Sequence, residues 1–130
     1  MKRTSTSATR VFVYGTLLSG EPNQHLLRGA RFVCQAQTPP HFTLYDCGPF
    51  PALASAGQHT VGGEVYEVDA PTLAALDRLE GHPHFYQRSP ITLDGGARVE
   101  AYLFPAARLV GRPTIESGSW RAYLKERKSW

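Results

Sequence analysis

Residues 64–81, EVYEVDAPTLAALDRLEG, change their period partway along. Glu64-Val65-Tyr66-Glu67-Val68 alternates and is β-branched at its core, the pattern of a strand. From Asp69 onward the pattern becomes helical. Asp69 suits an N-cap, and Pro71 is tolerated in the first turn because its missing N–H would have been unpaired there. Leu73, Leu76 and Leu79 supply an apolar side, and Gly81 and Pro83 end the helix.

Outward from that stretch the chain reads mostly as strands. Val11-Phe12-Val13-Tyr14 is a short apolar run that stops at Gly15, a buried strand opening into a turn. Leu26 and Leu27 suggest one or two helical turns after Pro22, and residues 30–37 resume an extended pattern. Residues 42–45 suggest a strand, followed by the breaker-rich loop Gly48-Pro49-Phe50-Pro51 and a brief strand at Ala52-Leu53-Ala54. Residues 85–93 and 98–104 flank Asp94-Gly95-Gly96-Ala97 as a β-hairpin. A terminal helix begins at Ser119. About six or seven strands mixed with two or three short helices predict an α+β fold.

The 130 residues are read as a single domain, 1–130, with residues 1–10 as a flexible tail. A hydrophobic fraction of 42% and a charged fraction of 19% suit a globular protein, and no apolar run approaches the ~20 residues of a membrane helix. The first ten residues lack the apolar stretch of a secretory signal. Cys34 and Cys47 are read as reduced thiols, so a cytoplasmic protein without membrane contacts is expected. The net charge of +3 is concentrated in the tails, in Lys2, Arg3 and Arg10 and in Arg121, Lys125, Arg127 and Lys128. Solvated termini explain it more simply than a phosphate-binding groove, and nucleic acid is not an expected partner.

Among residues that could carry chemistry, Glu80 stands out. It lies one turn beyond Leu76 and two beyond Leu73, on the stripe that points inward. Desolvation there, together with the negative end of the helix dipole, raises a carboxyl pKa toward the range useful for acid/base catalysis. The plainer alternative is a carboxylate at the stripe's edge, reaching water and paired with Arg78 or Arg88. Tyr14-Gly15-Thr16-Leu17 is the second candidate. A glycine after a buried strand permits a positive φ and close approach, so that successive N–H groups converge on an anion; it also serves as an ordinary turn. His82 and His84 lack further metal ligands at usual spacings and are read as shaping the loop after the helix. There is no Gly-x-Ser-x-Gly elbow, phosphate loop or His-Glu-x-x-His motif, which disfavours serine hydrolases, nucleotide hydrolases and zinc proteases.

Three segments together resemble the gamma-glutamylcyclotransferase-like superfamily, and within it the gamma-glutamylamine cyclotransferases most closely. They are Val11-Phe12-Val13-Tyr14-Gly15-Thr16-Leu17 followed by Gly20, Pro22 and Asn23; Gly63-Glu64-Val65-Tyr66-Glu67-Val68-Asp69 leading to Leu73, Leu76-Asp77 and Glu80; and Pro83 with Tyr86-Gln87-Arg88. The resemblance implies a compact, mixed, β-barrel-like sheet with short flanking helices and a cavity near one barrel end. It implies that Glu80 is the catalytic acid/base and that the loop of Tyr14, Gly15, Thr16 and Leu17 holds the glutamyl group through backbone N–H groups. It also implies that Tyr86 lines the pocket and that Arg88 supports the site.

The implied reaction is release of 5-oxoproline and a free amine from a gamma-glutamyl amine or amide, an acyltransferase or lyase activity. The α-amine of such a substrate reaches its own γ-carbonyl, so the nucleophile is already tethered and no Ser, Cys, metal or other cofactor is expected. The expected partner is a small gamma-glutamyl molecule. A non-catalytic module binding a small metabolite in the same cavity is the alternative.

Overall fold

The computed structural model describes residues 8–128. Seven strands, two α-helices and two short 3-10 turns follow the chain: β1 (Thr9–Val13), a 3-10 turn (Gln24–Leu27), β2 (Arg31–Gln37), β3 (Phe42–Asp46), β4 (Pro51–His59), β5 (Gly62–Val68), α1 (Ala70–Glu80), β6 (Gln87–Thr92), β7 (Arg98–Leu103), a 3-10 turn (Ala106–Leu109) and α2 (Trp120–Lys128). Residues 1–7 of the expected tail lie outside the described residues, while Thr9 and Arg10 belong to β1.

The strands form one mixed sheet in the order β2-β5-β1-β7-β4-β3, with β6 paired to β7. This is the expected α+β architecture. The path of hydrogen-bonded strands runs from β2 to β3 without closing, so the barrel-like sheet is an open one. The all-apolar β1 sits in its middle, antiparallel to β5 with Val11 opposite Tyr66, and parallel to β7 with Val11 opposite Glu100. Burial on both faces is what a continuous apolar run requires, and Val11 and Phe12 are fully buried. β4 lies parallel to β7 with Leu53 opposite Leu103.

Two expectations are revised. The brief strand at residues 52–54 is part of the nine-residue β4, whose last residue, His59, pairs with Phe42 beyond a register shift between Phe42 and Thr43. Leu79 does not join the inward stripe of α1: it is 39% exposed, whereas Leu76 is fully buried.

The helix ends follow their local chemistry. Asp69 Oδ1 accepts the Thr72 N–H at 2.9 Å, and Gly81 closes α1 in the left-handed region at φ 67°. A Cβ on Gly81 would also sit 2.8 Å from Phe85 Cβ, so the turn needs glycine twice over. The Phe85 N–H then bonds back to Gly81 and that of Tyr86 to Glu80, folding the chain over the helix end.

The last helix is fastened to the β3–β4 connection. Ser119 accepts the N–H of Ala122 and of Tyr123. Tyr123 and Arg127 both bond to Asp46, and Arg127 Nη1 also donates to the Gly48 carbonyl at 2.8 Å. That connection carries Phe50.

Of the basic residues noted in the termini, Arg10, Arg121 and Arg127 are each paired with a carboxylate of the domain. Cys34 and Cys47 are free thiols. No helix among the described residues is long and apolar enough to cross a membrane.

Candidate active site

The C-terminal ends of β1 and β7, the start of β4 and the end of α1 meet around a narrow cavity. Tyr14, Gly15, Thr16, Leu17, Glu80 and Tyr86 all line it, so the structure brings together each residue expected to touch substrate. Phe12, Val13, Phe50, Pro51 and Tyr102 complete the wall.

Hydrogen bonds fix three of the walls. The Tyr14 hydroxyl donates to the Tyr102 carbonyl at 2.6 Å, Tyr86 to the Pro51 carbonyl at 2.7 Å, and Tyr102 to Asp77 Oδ1 at 2.7 Å. Burial pushes all three phenols above their ordinary pKa, and the nearby charge of Glu80 adds to it. They are therefore neutral donors, and each is committed to a group other than Glu80.

Arg88 is committed as well. Its Nε donates to Asp77 Oδ1 at 2.9 Å, its Nη2 to Asp77 Oδ2 at 3.3 Å and its Nη1 to Glu100 Oε1 at 3.2 Å. Although burial pushes Asp77 up, the Tyr102 hydroxyl and the Arg88 guanidinium outweigh it and hold Asp77 below the usual carboxylate range. Arg88, Asp77 and Tyr102 thus tie β6, α1 and β7 together one turn before Glu80. His82 belongs to the same scaffold, its Nδ1 accepting the Arg88 N–H at 2.9 Å.

Glu80 is left without a partner. No hydrogen bond or ion pair to its carboxyl group occurs among the described residues, and neither Arg78 nor Arg88 takes up the pairing that the plainer reading allowed. Burial raises its pKa from 4.5 to about 7. An acid at that value exchanges its proton readily near neutral pH.

On the loop that lines the same cavity, among the described residues, no protein acceptor takes the backbone N–H of Gly15, Thr16 or Leu17. The loop is held from its other side: Asn23 Nδ2 donates to Thr16 Oγ1 and the Asn23 N–H to the Thr16 carbonyl, both at 2.9 Å. The reason for glycine at position 15 is revised. Its φ is not positive; instead a Cβ would lie 2.6 Å from Pro51 Cγ. Glycine is there to let the loop close against β4.

The inner cavity measures about 20 Å³, room for roughly one water. It adjoins a groove of about 330 Å³, with Thr16, Phe50, Glu80 and Tyr86 on the walls of both. Anything larger than a water needs the walls to part. Tyr14, Tyr86 and Tyr102 are pinned by hydrogen bonds, whereas the Phe50 ring on the connection before β4 is held by packing against Phe85 and Tyr86.

Sequence reading missed Tyr102, Phe50 and Asn23 as site components. Asn23 carried a signal in its fixed distance from the Tyr14–Leu17 loop; Tyr102 carried none, because only the parallel β1–β7 pairing brings it to Tyr14.

The fold and the cavity define a mixed α+β domain built around an unpaired, half-buried carboxyl group. Residues 11–122 match the family described as "Gamma-glutamyl cyclotransferase, AIG2-like", and the chain belongs to it. It is 41% identical over 110 residues to a Vibrio cholerae relative, covering 85% of this chain and 93% of that one. It is 37% identical over 112 residues to the gamma-glutamylcyclotransferase family protein YtfP of Escherichia coli K12, covering 85% and 95%. A crystallised protein specific to uropathogenic Escherichia coli superposes with a TM-score of 0.80 at 26% identity, over 92% of this chain and 98% of that one.

Proposed function

We propose that this chain is a gamma-glutamyl amine or amide cyclotransferase, converting its substrate to 5-oxoproline and a free amine in the cytoplasm without a cofactor. The observation that carries the reading is the unpaired Glu80 carboxyl, at a pKa of about 7, lining one small cavity with a loop whose N–H groups are unclaimed.

In this reading the N–H groups of Gly15, Thr16 and Leu17 take the anionic end of the glutamyl group. The Glu80 carboxylate removes a proton from the α-ammonium, and the freed nitrogen attacks the γ-carbonyl carbon. The new C–N bond closes the five-membered ring. As the old amide C–N bond breaks, the Glu80 acid gives its proton to the departing nitrogen; the freed carboxylate then takes the second proton of the ring nitrogen and passes it to the amine, which leaves as an ammonium, so one group serves every transfer and ends as it began. Because the attacking nitrogen is tethered, the protein needs no nucleophile of its own. Tyr86 and Tyr14 shape the pocket, and Arg88 acts as a positioning residue through Asp77.

Incubation with gamma-glutamyl-ε-lysine and simple gamma-glutamyl amides, with 5-oxoproline and amine quantified together, tests the reading. Equimolar appearance of both is expected. Binding that shifts the melting temperature without amine release would instead identify a non-catalytic binding module.

A further inference from the structure

The groove outside the cavity differs in chemistry from the cavity itself. Its wall is built from Phe50, Leu79 and Phe85 with Pro22 and Pro49, and Glu80 is its one charged residue among the described residues. Phe50 and Phe85 stand edge to face with centroids 6.1 Å apart, and Tyr86 continues the cluster 5.3 Å from Phe85.

Phe85 and Leu79 are 46% and 39% exposed, two of the four large apolar side chains left in solvent among the described residues. Both line the groove, although Phe85 also stands edge to face with Phe104 at 5.1 Å. Of the cations on adjoining elements, Arg88 is bound to Asp77 and Glu100, and Arg108 to the His84 carbonyl. Among the described residues no Lys or Arg lines the groove, so a negatively charged group there would have no cation on the wall and would face Glu80.

We propose that this groove binds the departing side of the substrate and takes an amine bearing an aromatic ring or an apolar group of similar bulk, with Phe85 and Phe50 as its walls and Leu79 as its rim. The assignment rests on the cyclotransferase reading: Glu80 lines both spaces, so the group whose nitrogen receives its proton extends into the groove. Aromatic walls receive a ring edge to face, and each apolar group removed from water adds to binding.

The test compares kcat/KM for gamma-glutamyl methylamide, n-butylamide and benzylamide with the wild-type chain and with Phe85→Ala and Leu79→Asp. Benzylamide is expected to exceed methylamide at least tenfold, with butylamide between them. Phe85→Ala should bring the benzyl-to-methyl ratio down to about threefold or less, and Leu79→Asp should lower it too. Both side chains are substantially exposed, so the variants are expected to fold. Equal kcat/KM across the three amides, or a ratio unmoved by both substitutions, overturns the groove assignment while leaving the cyclotransferase reading intact. Turnover of none of the three sinks that reading and the groove assignment with it.

Discussion

Replacing Glu80 by glutamine should stabilise the protein, increasingly so as pH rises from the unfolded carboxyl pKa to the folded one. Its pKa rises from 4.5 to about 7 on folding, a difference of about 2.5. The folded state therefore holds the Glu80 proton more tightly than the unfolded chain does. Stability from this group is fully present below about pH 4.5 and is lost as pH rises through about 7. At 1.36 kcal/mol for each unit, the loss is about 3 kcal/mol by pH 8.5, an upper bound for a half-buried group that keeps some contact with water. Glutamine has nearly the same shape and no charge to desolvate. Urea unfolding of both proteins at pH 5 and pH 8.5 isolates the effect, because groups common to both cancel in the difference. A variant more stable by about 1 kcal/mol or less at pH 5, and by about 2–3 kcal/mol at pH 8.5, is the expected result. A wild type as stable as Glu80→Gln at pH 8.5 would refute a desolvated, unpaired carboxyl.

Two further substitutions test the scaffold. Gly15→Ala places a Cβ within 2.6 Å of Pro51, so it should destabilise by about 1–3 kcal/mol in denaturant unfolding and disturb the loop that lines the cavity with Glu80; an unchanged midpoint would show that the approach to β4 is slack. Asp77→Asn removes the anion that Arg88 and Tyr102 share and should cost about 1–3 kcal/mol at neutral pH. Since Asp77 is held below its ordinary pKa, its contribution is present above the unfolded value and lost as pH falls through the folded one, so the difference should shrink in acid.

What could be read in the sequence was local. The change of period at Asp69 located α1 and its cap, and the placement of Glu80 beyond Leu76 located the inward carboxyl. The chemistry around Glu80 was not local. Whether a base neutralises it depends on Arg88, which Asp77 and Glu100 claim only once β6 and β7 pair, with Arg88 opposite Tyr102. Tyr102 meets Tyr14 across 88 positions of sequence. Leu79 shows the limit of pattern alone: its spacing suits the apolar stripe, yet it faces the groove beside Phe50 and Phe85. Gly15 shows another, since a turn and a close contact both demand glycine, and only the packing against Pro51 distinguishes them.

The pH dependence of kcat/KM for 5-oxoproline formation, measured for the wild type and for Glu80→Gln, reaches the acid/base role of Glu80 most directly. The wild type should show an acidic limb with its midpoint near 7, and the variant should lose at least about a hundredfold in rate together with that limb. A variant that keeps the wild-type rate, or keeps the limb, would contradict the proton-transfer role.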